Sequence, residues 1–559
     1  MLKYFLPDWE DRVDPKFDFQ NDKFSESHTK DTYNNDNYAH QIFDKIPYDG
    51  ILVSLAIFEK KISLNRDEEK YTIRNKDSIK DYLKIHNSSN LEVMGDCGAF
   101  SYVTEKQPPS FYNVEDIASI YQNLGFDYGV SVDHLAVDYI LIKNPKTGKR
   151  EKKDISDKEN DRRIKITLKN AAKFLDLCND NNYSFHPIGV AQGYSIETYE
   201  HSVKKLVDMG YDYIALGGIV QYSTRYILDI LEAINEDTKN VQIHLFGVLR
   251  KDYLKKFQDL GVTSFDSASF FRKAWLRSGQ NYLSTNGKWY SSIRVPQSFN
   301  PRIIKKVNFN ELSLNKIRDM EKKALKALFD YDNGKIDIDT ALNTVMKYDK
   351  LLLRNSNDGD NLKIKYRRTL LEKPWEDCDC PMCKELGINV LIFRGTNRNK
   401  RRGFHNIWAL RDIENTLCVV SCGKKKIWDK YPKTGPTPAG DVYIGSYTKK
   451  CQDYAKKFYP NSWCIISAKY GFLFPEEEIP SNYDVSFNDY NSKTINIDEL
   501  NIQAKQKKLN NYEKVVVIGG KTYLNIIKDV FPQKKVLDPL NGCKGIGQMM
   551  NRLNNLINN

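Results

Sequence analysis

Short apolar runs and amphipathic segments alternate between Ile51 and Phe265, and this alternation constrains the fold more than any other feature of the chain. The runs are Ile51–Ile57, Leu91–Met94, Tyr128–Val132, Phe185–Ala191, Tyr213–Leu216, Val241–Val248 and Val262–Phe265. Most are rich in Val, Ile, Phe or Tyr and end at Gly, Asp or Asn, as buried strands do. Helical patterns lie between them, at Val114–Asn123, Asp161–Asp180, Ile196–Met209, Thr224–Glu236 and Lys251–Leu260. Strand alternating with helix implies parallel βαβ units. The number of runs fits a (β/α)8 TIM-like barrel better than an open sheet, although periodicity alone does not choose between them.

The rest of the chain divides around that unit. Residues 1–45 are polar and rich in Asn and Asp, and read as an irregular lead-in. The barrel is expected over 46–306. Glu311–Tyr331 and Ile338–Leu353 are charged helical patterns, which makes 307–372 a helical insertion. A cysteine-bearing subdomain with a basic loop follows over 373–410. Residues 411–559 restart an α/β pattern with strands at Leu417–Ser421, Trp463–Ser467 and Lys514–Ile518, a smaller second domain. There is no internal repeat.

At the ends of the apolar runs stand Asp96-Cys97-Gly98, Asp133-His134, Gln192-Gly193, Gly217-Gly218 and Asp266-Ser267. In a barrel, polar residues at the carboxyl ends of strands are the catalytic candidates. Asp96 and Asp266 could divide the work, one as covalent nucleophile and one handling protons. The bland alternative is that each caps the helix after it. Further on, Cys378, Cys380, Cys383 and His405 follow the pattern C-x-C-x2-C…H. Three thiolates and one imidazole suit a closed tetrahedral zinc site of structural type.

Inside the same stretch, Arg394, Arg398, Lys400, Arg401 and Arg402 have no acid between Leu391 and His405. Such a run is either a solvated face or a phosphate-binding loop. The whole chain carries 85 Lys and Arg against 73 Asp and Glu, a formal charge of +12 that is compatible with a polyanionic partner. The N-terminus has too many acids for a signal peptide, and no apolar run reaches a membrane span of roughly 18–20 residues. The seven cysteines outside the cluster show no disulfide framework. A reducing cytoplasm and no membrane partner are expected.

Met94-Gly-Asp-Cys-Gly-Ala-Phe100, Pro187-Ile-Gly-Val-Ala-Gln-Gly193, Ala215-Leu-Gly-Gly218 and Phe265-Asp-Ser-Ala-Ser-Phe270 resemble the ordered motifs of the tRNA-guanine transglycosylase superfamily. The cysteine cluster resembles that superfamily's zinc site. Tyr48-Asp-Gly-Ile-Leu-Val-Ser54, Ser292-Ile-Arg-Val-Pro296 and the Arg-rich run look closer to its DNA-guanine transglycosylase branch. The resemblance implies exchange of guanine in DNA for a 7-deazaguanine such as preQ0. Asp266 would attack C1′ of the sugar and Asp96 would be the general acid/base. Asp133, Gln192 and the Gly217-Gly218 backbone would read the base edge. Cys97 stands where the family usually has Ser, and would be a weaker partner for the base. His134 would contact the base or be a core histidine. The target nucleotide would have to be unpaired or flipped. The same exchange on tRNA and a non-catalytic, zinc-containing nucleic-acid-binding protein are the alternatives, and protein partners of a DNA-modification system are compatible with the first reading. Archaeal tRNA-modifying relatives usually carry an RNA-binding C-terminal domain that this chain does not resemble.

The C-terminal domain has its own motifs, Cys418-Val-Val-Ser-Cys-Gly-Lys-Lys-Lys426, Ala439-Gly-Asp-Val-Tyr-Ile-Gly445, Ile466-Ser-Ala-Lys-Tyr-Gly471 and Pro539-Leu-Asn-Gly-Cys-Lys-Gly-Ile-Gly-Gln548. They resemble a small α/β domain of uncharacterised function. Gly beside Lys after a strand suits an anion or nucleotide, with Lys424, Lys469, Tyr470 and Lys544 as candidate contacts. Ordinary strand-end turns are the alternative. Cys418 and Cys422 lack a matching second pair, so no second metal site is expected.

Overall fold

The computed structural model describes residues 2–56, 78–86, 89–143, 147–276, 279–301, 303–304, 313–352, 357–489 and 492–558. Parts of the expected strand Ile51–Ile57 and of the expected helices Glu311–Tyr331 and Ile338–Leu353 lie outside these residues. The chain separates into two compact units. One is Met1–Tyr282 with Tyr290–Trp408, and the other is Leu283–Trp289 with Ala409–Asn559.

The first unit is built on a closed barrel of eight parallel strands. They are β1 (Lys3–Pro7), β2 (Gly50–Ser54), β3 (Glu92–Asp96), β4 (Tyr128–Val130), β5 (His186–Ala191), β6 (Tyr213–Leu216), β7 (Gln242–Leu245) and β8 (Val262–Asp266). The expected barrel is therefore present, with one correction. Residues 1–45 are not merely a lead-in, because they supply β1, which closes the barrel. Phe5 pairs with Asp266 on one side and Gly50 on the other. Phe5, Leu52, Met94, Val130, Ile188, Val190, Tyr213 and Ala215 fill the interior, so the barrel is a packed core and not a pore.

The connecting helices begin where a short polar side chain can accept the first free N–H groups. Asn113 caps α1 (Val114–Leu124), Ser156 caps α2 (Asp157–Asp180), Ser195 caps α3 (Ile196–Met209) and Ser223 caps α4 (Thr224–Ile234). The pattern Lys251–Leu260 resolves into a tight turn, Lys251–Tyr253, and a short helix, Leu254–Asp259. The segment between β8 and the cysteines holds helices Leu314–Asp332, Ile338–Asp349 and Asn357–Glu372. The last lies within the expected helical insertion but outside the two patterns singled out in it. Seven of its 16 residues are charged, and it is held by a few buried side chains, Tyr366, Thr369 and Leu370. The cysteine motif opens the short helix Pro381–Leu386, and a long helix, Gly395–Glu414, follows it.

The second unit has a five-stranded sheet. Its strands are β9 (Thr416–Ser421), β10 (Trp463–Ser467), β11 (Gly471–Leu473), β12 (Lys514–Ile518) and β13 (Lys535–Leu537), in the order β11-β10-β9-β12-β13. Only β11 is antiparallel to its neighbour. Leu417, Val419, Cys464, Ile466, Val515 and Val517 form the centre of its core. No helix among the described residues is long and apolar enough to cross a membrane. None of the cysteines is in a disulfide.

Candidate active site and metal centre

Asp266 ends β8 and is buried. Its Oδ1 accepts the Gly247 N–H at 2.8 Å and lies 3.3 Å from His244 Nε2. Behind His244, Nδ1 lies 2.7 Å from Ser264 Oγ, which lies 2.5 Å from the Tyr213 hydroxyl. For a neutral imidazole, one proton arrangement satisfies the chain. Tyr213 donates to Ser264, Ser264 donates to Nδ1, and Nε2–H points at the carboxylate. The reverse order would leave an imidazole lone pair facing an anion. Among the described residues, nothing hydrogen-bonds to Asp266 Oδ2.

Asp96 ends β3 and reaches the surface of the mouth. Loss of water raises its carboxyl to about 7, and the charges of Asp133 and Asp266 act in the same direction. The Gly98 N–H and the Ser54 side chain partly oppose that rise. Gly98 has φ +86°, and a Cβ there would come within 2.7 Å of Ala56 Cβ. Glycine is thus required by both conformation and space.

Beside these carboxylates lies a fully bonded group. Asp133 Oδ1 accepts from Cys97 Sγ at 3.0 Å, and Oδ2 accepts from Gln192 Nε2 at 2.5 Å. The Tyr102 hydroxyl donates to the Asp133 carbonyl and lies 3.2 Å from Cys97 Sγ. Burial and the nearby acids push the Cys97 thiol well up, so it remains an S–H donor and not a nucleophile. Burial also raises the Asp133 carboxyl. Gly217 packs against Gln192, whose Nε2 would be 2.2 Å from a Cβ at that position. The structure therefore gathers Asp96, Cys97, Asp133, Gln192, Gly217, Gly218 and Asp266 at the carboxyl ends of the strands. His134 is buried and its Nε2 meets the Glu105 carbonyl at 3.0 Å. Burial lowers its imidazole to about 4, so it is neutral at physiological pH.

The sequence reading missed Ser54, Tyr102, Ser264 and His244. His244 had a visible signal, a lone imidazole inside the apolar run Val241–Val248. Exposed aromatics also surround the mouth. Phe100 follows Gly98 and is 69% exposed, and Trp9 follows β1 and is 53% exposed. The Arg272 guanidinium sits 4.4 Å from the Trp9 ring centre.

Cys378, Cys380, Cys383 and His405 are buried together, with one donor atom from each within 4.8 Å of the others. His405 Nδ1 is 3.6, 3.3 and 3.4 Å from the three sulfurs. A tetrahedral ion with metal–sulfur and metal–nitrogen bonds of zinc's lengths gives an S···N edge of about 3.6 Å. The donor set therefore fits a metal ion, and its four ligands leave no open position. The Tyr282 ring stacks on His405 at 3.9 Å, and its hydroxyl lies 3.2 Å from Cys383 Sγ.

The basic run corrects another expectation. It is not a loop that reaches for phosphate. Most of it forms the first turns of the helix from Gly395, and its four guanidinium groups are buried. Arg394 and Arg398 share Asp22, and Arg394 also pairs with Glu321 at 2.5 Å. Arg401 binds Glu385 at 2.8 Å and the Asp14 carbonyl. Arg402 spends its donors on the carbonyls of Ala274, Val390 and Ile392. Lys400 pairs with Asp11 at 3.2 Å. These cations hold the protein together, and phosphate would have to displace their partners.

In the second unit, Lys424 and Lys469 are exposed and Tyr470 is half-buried at the carboxyl edge of the sheet. The backbone N–H groups of Lys469 and Tyr470 both donate to Ser467 Oγ. Lys544 is exposed in the turn beyond β13.

Comparison with known proteins agrees with this division. Residues 56–392 match the family described as Queuine tRNA-ribosyltransferase. Residues 417–555 match a family of unknown function, DUF6884. The chain is similar to a protein of Salmonella montevideo named DNA-guanine transglycosylase. The two are 38% identical over 428 residues, 75% of this chain and 98% of the relative. The chain is also similar to the uncharacterized protein YfjM of Bacillus subtilis, 39% identical over 142 residues, 25% of this chain and 94% of that protein.

Proposed function

The chain belongs to the queuine tRNA-ribosyltransferase family and is a pentosyltransferase, and on that premise we propose that it exchanges guanine in DNA for a 7-deazaguanine base such as preQ0 through a covalent aspartyl–nucleotide intermediate. The observation that carries the mechanism is the asymmetry of Asp266, with Oδ1 held by Gly247 and His244 and Oδ2 without a hydrogen bond among the described residues. Oδ2 attacks C1′ while the C1′–N9 bond breaks, and Asp96 gives its proton to the departing guanine. A carboxyl near 7 is protonated in enough molecules at neutral pH to do so. In the second half, the Asp96 carboxylate takes the N9 proton of the incoming base. N9 then attacks C1′, and the ester bond to Asp266 breaks. Asp133, Gln192 and the Gly217-Gly218 backbone read the base through its N–H and C=O edge.

DNA as the polymer is supported by the name of the relative that this chain covers almost end to end. The family's own description keeps tRNA as the second reading. Membership of an enzyme family stands against the non-catalytic alternative. The exposed Phe100 and Trp9 at the mouth suit stacking on unpaired bases, a role that the buried arginines do not offer. The Cys3His centre would hold structural zinc through Cys378, Cys380, Cys383 and His405, and the ion would supply rigidity rather than a chemical step.

The test offers labelled guanine-containing duplex DNA and tRNA with preQ0. Label should leave DNA. Release from tRNA alone would refute the DNA reading. Asp266→Asn should lose exchange on either polymer by at least about three orders of magnitude, and exchange at the wild-type rate would remove Asp266 as nucleophile.

A further inference from the structure

The exchange reaction leaves the second unit without a role, yet its sheet carries a built crevice. The chain runs from β9 to β10 on one side of the sheet and later to β12 on the other. In open α/β sheets, ligands bind beyond the carboxyl ends of the strands at such a reversal. The loop Cys422–Lys426 leaves β9 at this point. Cys422 Sγ lies 3.2 Å from the hydroxyl of Tyr523, in the first turn of helix Lys521–Val530. Lys426 bridges to Tyr443, just before helix Ser446–Phe458. The loop thus lies between the starts of two helices. Ser467, at the end of β10, adds a third side, joined through the Tyr483 hydroxyl to that of Tyr443 at 2.8 and 2.6 Å.

Two independent features call for an anion. The first is Lys426, which is 3% exposed. Its ammonium lies 4.2 Å from the Tyr483 ring centre. Among the described residues, its hydrogen-bond acceptor is the Lys424 carbonyl at 3.1 Å, and no carboxylate pairs with it. The nearby Asp429 is taken by the Lys426 backbone N–H and by Asn482. A buried ammonium with no carboxylate in contact is costly, and the charges of Asp429 and Asp484 nearby offset only part of the loss of water. The second is the pair of helix starts. Gly445 and Gly520 occupy the capping positions, so neither helix has a side-chain cap. Their φ values of −64° and −77° suit any residue. A Cβ would meet nothing within 4 Å at Gly520 and only Lys425 Cβ, at 4.0 Å, at Gly445. Neither conformation nor packing requires glycine there. Its presence leaves the first N–H groups open to an outside acceptor.

We propose that this crevice binds a nucleotide. The phosphate sits against the two helix starts and Lys426, and the base lies against the tyrosine rings, with Tyr470 and Tyr483 at one side and Tyr523 at the other.

The experiment is calorimetric titration of the full-length protein with dGMP, GMP, ATP and inorganic phosphate. At least one nucleotide should bind at least about ten-fold more tightly than phosphate. Lys426→Met should weaken that binding at least about ten-fold. Gly520→Asp should weaken it similarly, because a carboxylate would then occupy the helix start. Aspartate suits that position, so this variant should keep its fold if Lys426→Met does not. The same nucleotide should slow alkylation of Cys422 by iodoacetamide. The proposal is overturned if no nucleotide binds, if phosphate binds as tightly, or if Cys422 is not protected. Loss of binding in Asp133→Asn would also overturn it, since the ligand would then lie in the barrel.

Discussion

Replacing Asp22 by alanine separates two roles for the arginine run. The Asp22 carboxylate lies between Arg394 and Arg398, whose side chains are 6% and 2% exposed. Water therefore screens these pairs little. Without Asp22, Arg394 keeps Glu321 and the Val295 carbonyl, whereas Arg398 keeps only neutral acceptors, Phe19 and Asn389. Removing one partner of a buried ion pair costs about 3–5 kcal/mol. The remaining acceptors place the expected loss near the lower end, about 3 kcal/mol. Urea denaturation followed by tryptophan fluorescence would read it as a lower midpoint for the barrel's transition. If the arginines instead served DNA, Asp22→Ala would free the Arg398 cation, since Arg394 keeps Glu321. Binding would strengthen, and the salt dependence of log K would steepen by about one phosphate contact. We expect lost stability with an unchanged salt slope. A wild-type midpoint with a steeper slope would refute the structural assignment.

Other outcomes follow from the mouth and the metal centre. Asp133→Asn removes the largest charge contribution raising the Asp96 carboxyl, which should fall below about 7. On the proposed mechanism, guanine release in a single turnover requires protonated Asp96, so its decline with rising pH should move to lower pH, and a limb that stays near 7 would contradict this. His244→Leu removes the donor facing Asp266 Oδ1 and should lower kcat about ten-fold with KM little changed, the effect of a hydrogen bond of about 1.5 kcal/mol to a charged group. His244→Gln should restore most of that loss, and a His244→Leu enzyme as fast as wild type would exclude any positioning role. Metal removal by a strong chelator should lower the melting temperature while exchange per folded molecule persists, whereas loss of turnover in fully folded protein would argue for a catalytic ion.

The carboxylates were legible because barrel strands end abruptly in sequence. Asp96 and Asp266 each close an apolar run, and glycine or serine soon follows. β1 was not legible. Lys3–Pro7 is five residues long, and its meaning comes from pairing with β8, more than two hundred residues away. The arginine run was misread for a related reason. No acid lies near it in sequence, but Asp11 and Asp22 arrive from the N-terminal segment. His244 lay within a run read as uniformly buried strand, where the pattern gives a position but not a hydrogen-bonding partner.

These long-range contacts connect the Cys3His cluster to the strand that ends at Asp266. His405, one of the four residues that could hold a metal ion, lies on the helix that begins at Gly395, and that helix grips both sides of the seam between β1 and β8. Toward β1, Arg398, Lys400 and Arg401 hold Asp22, Asp11 and the Asp14 carbonyl, all in the segment that leaves β1. Toward β8, Arg402 takes the Ala274 carbonyl and Asn406 takes that of Phe270, both in the segment just after Asp266. Gly403 lets the helix come this close, since a Cβ there would stand 2.4 Å from the Phe271 ring. Phe5 and Asp266 are directly paired across the seam. On the proposed mechanism, a positive charge in this run therefore reaches the reaction not by touching the substrate but by fixing the register in which Asp266 is presented.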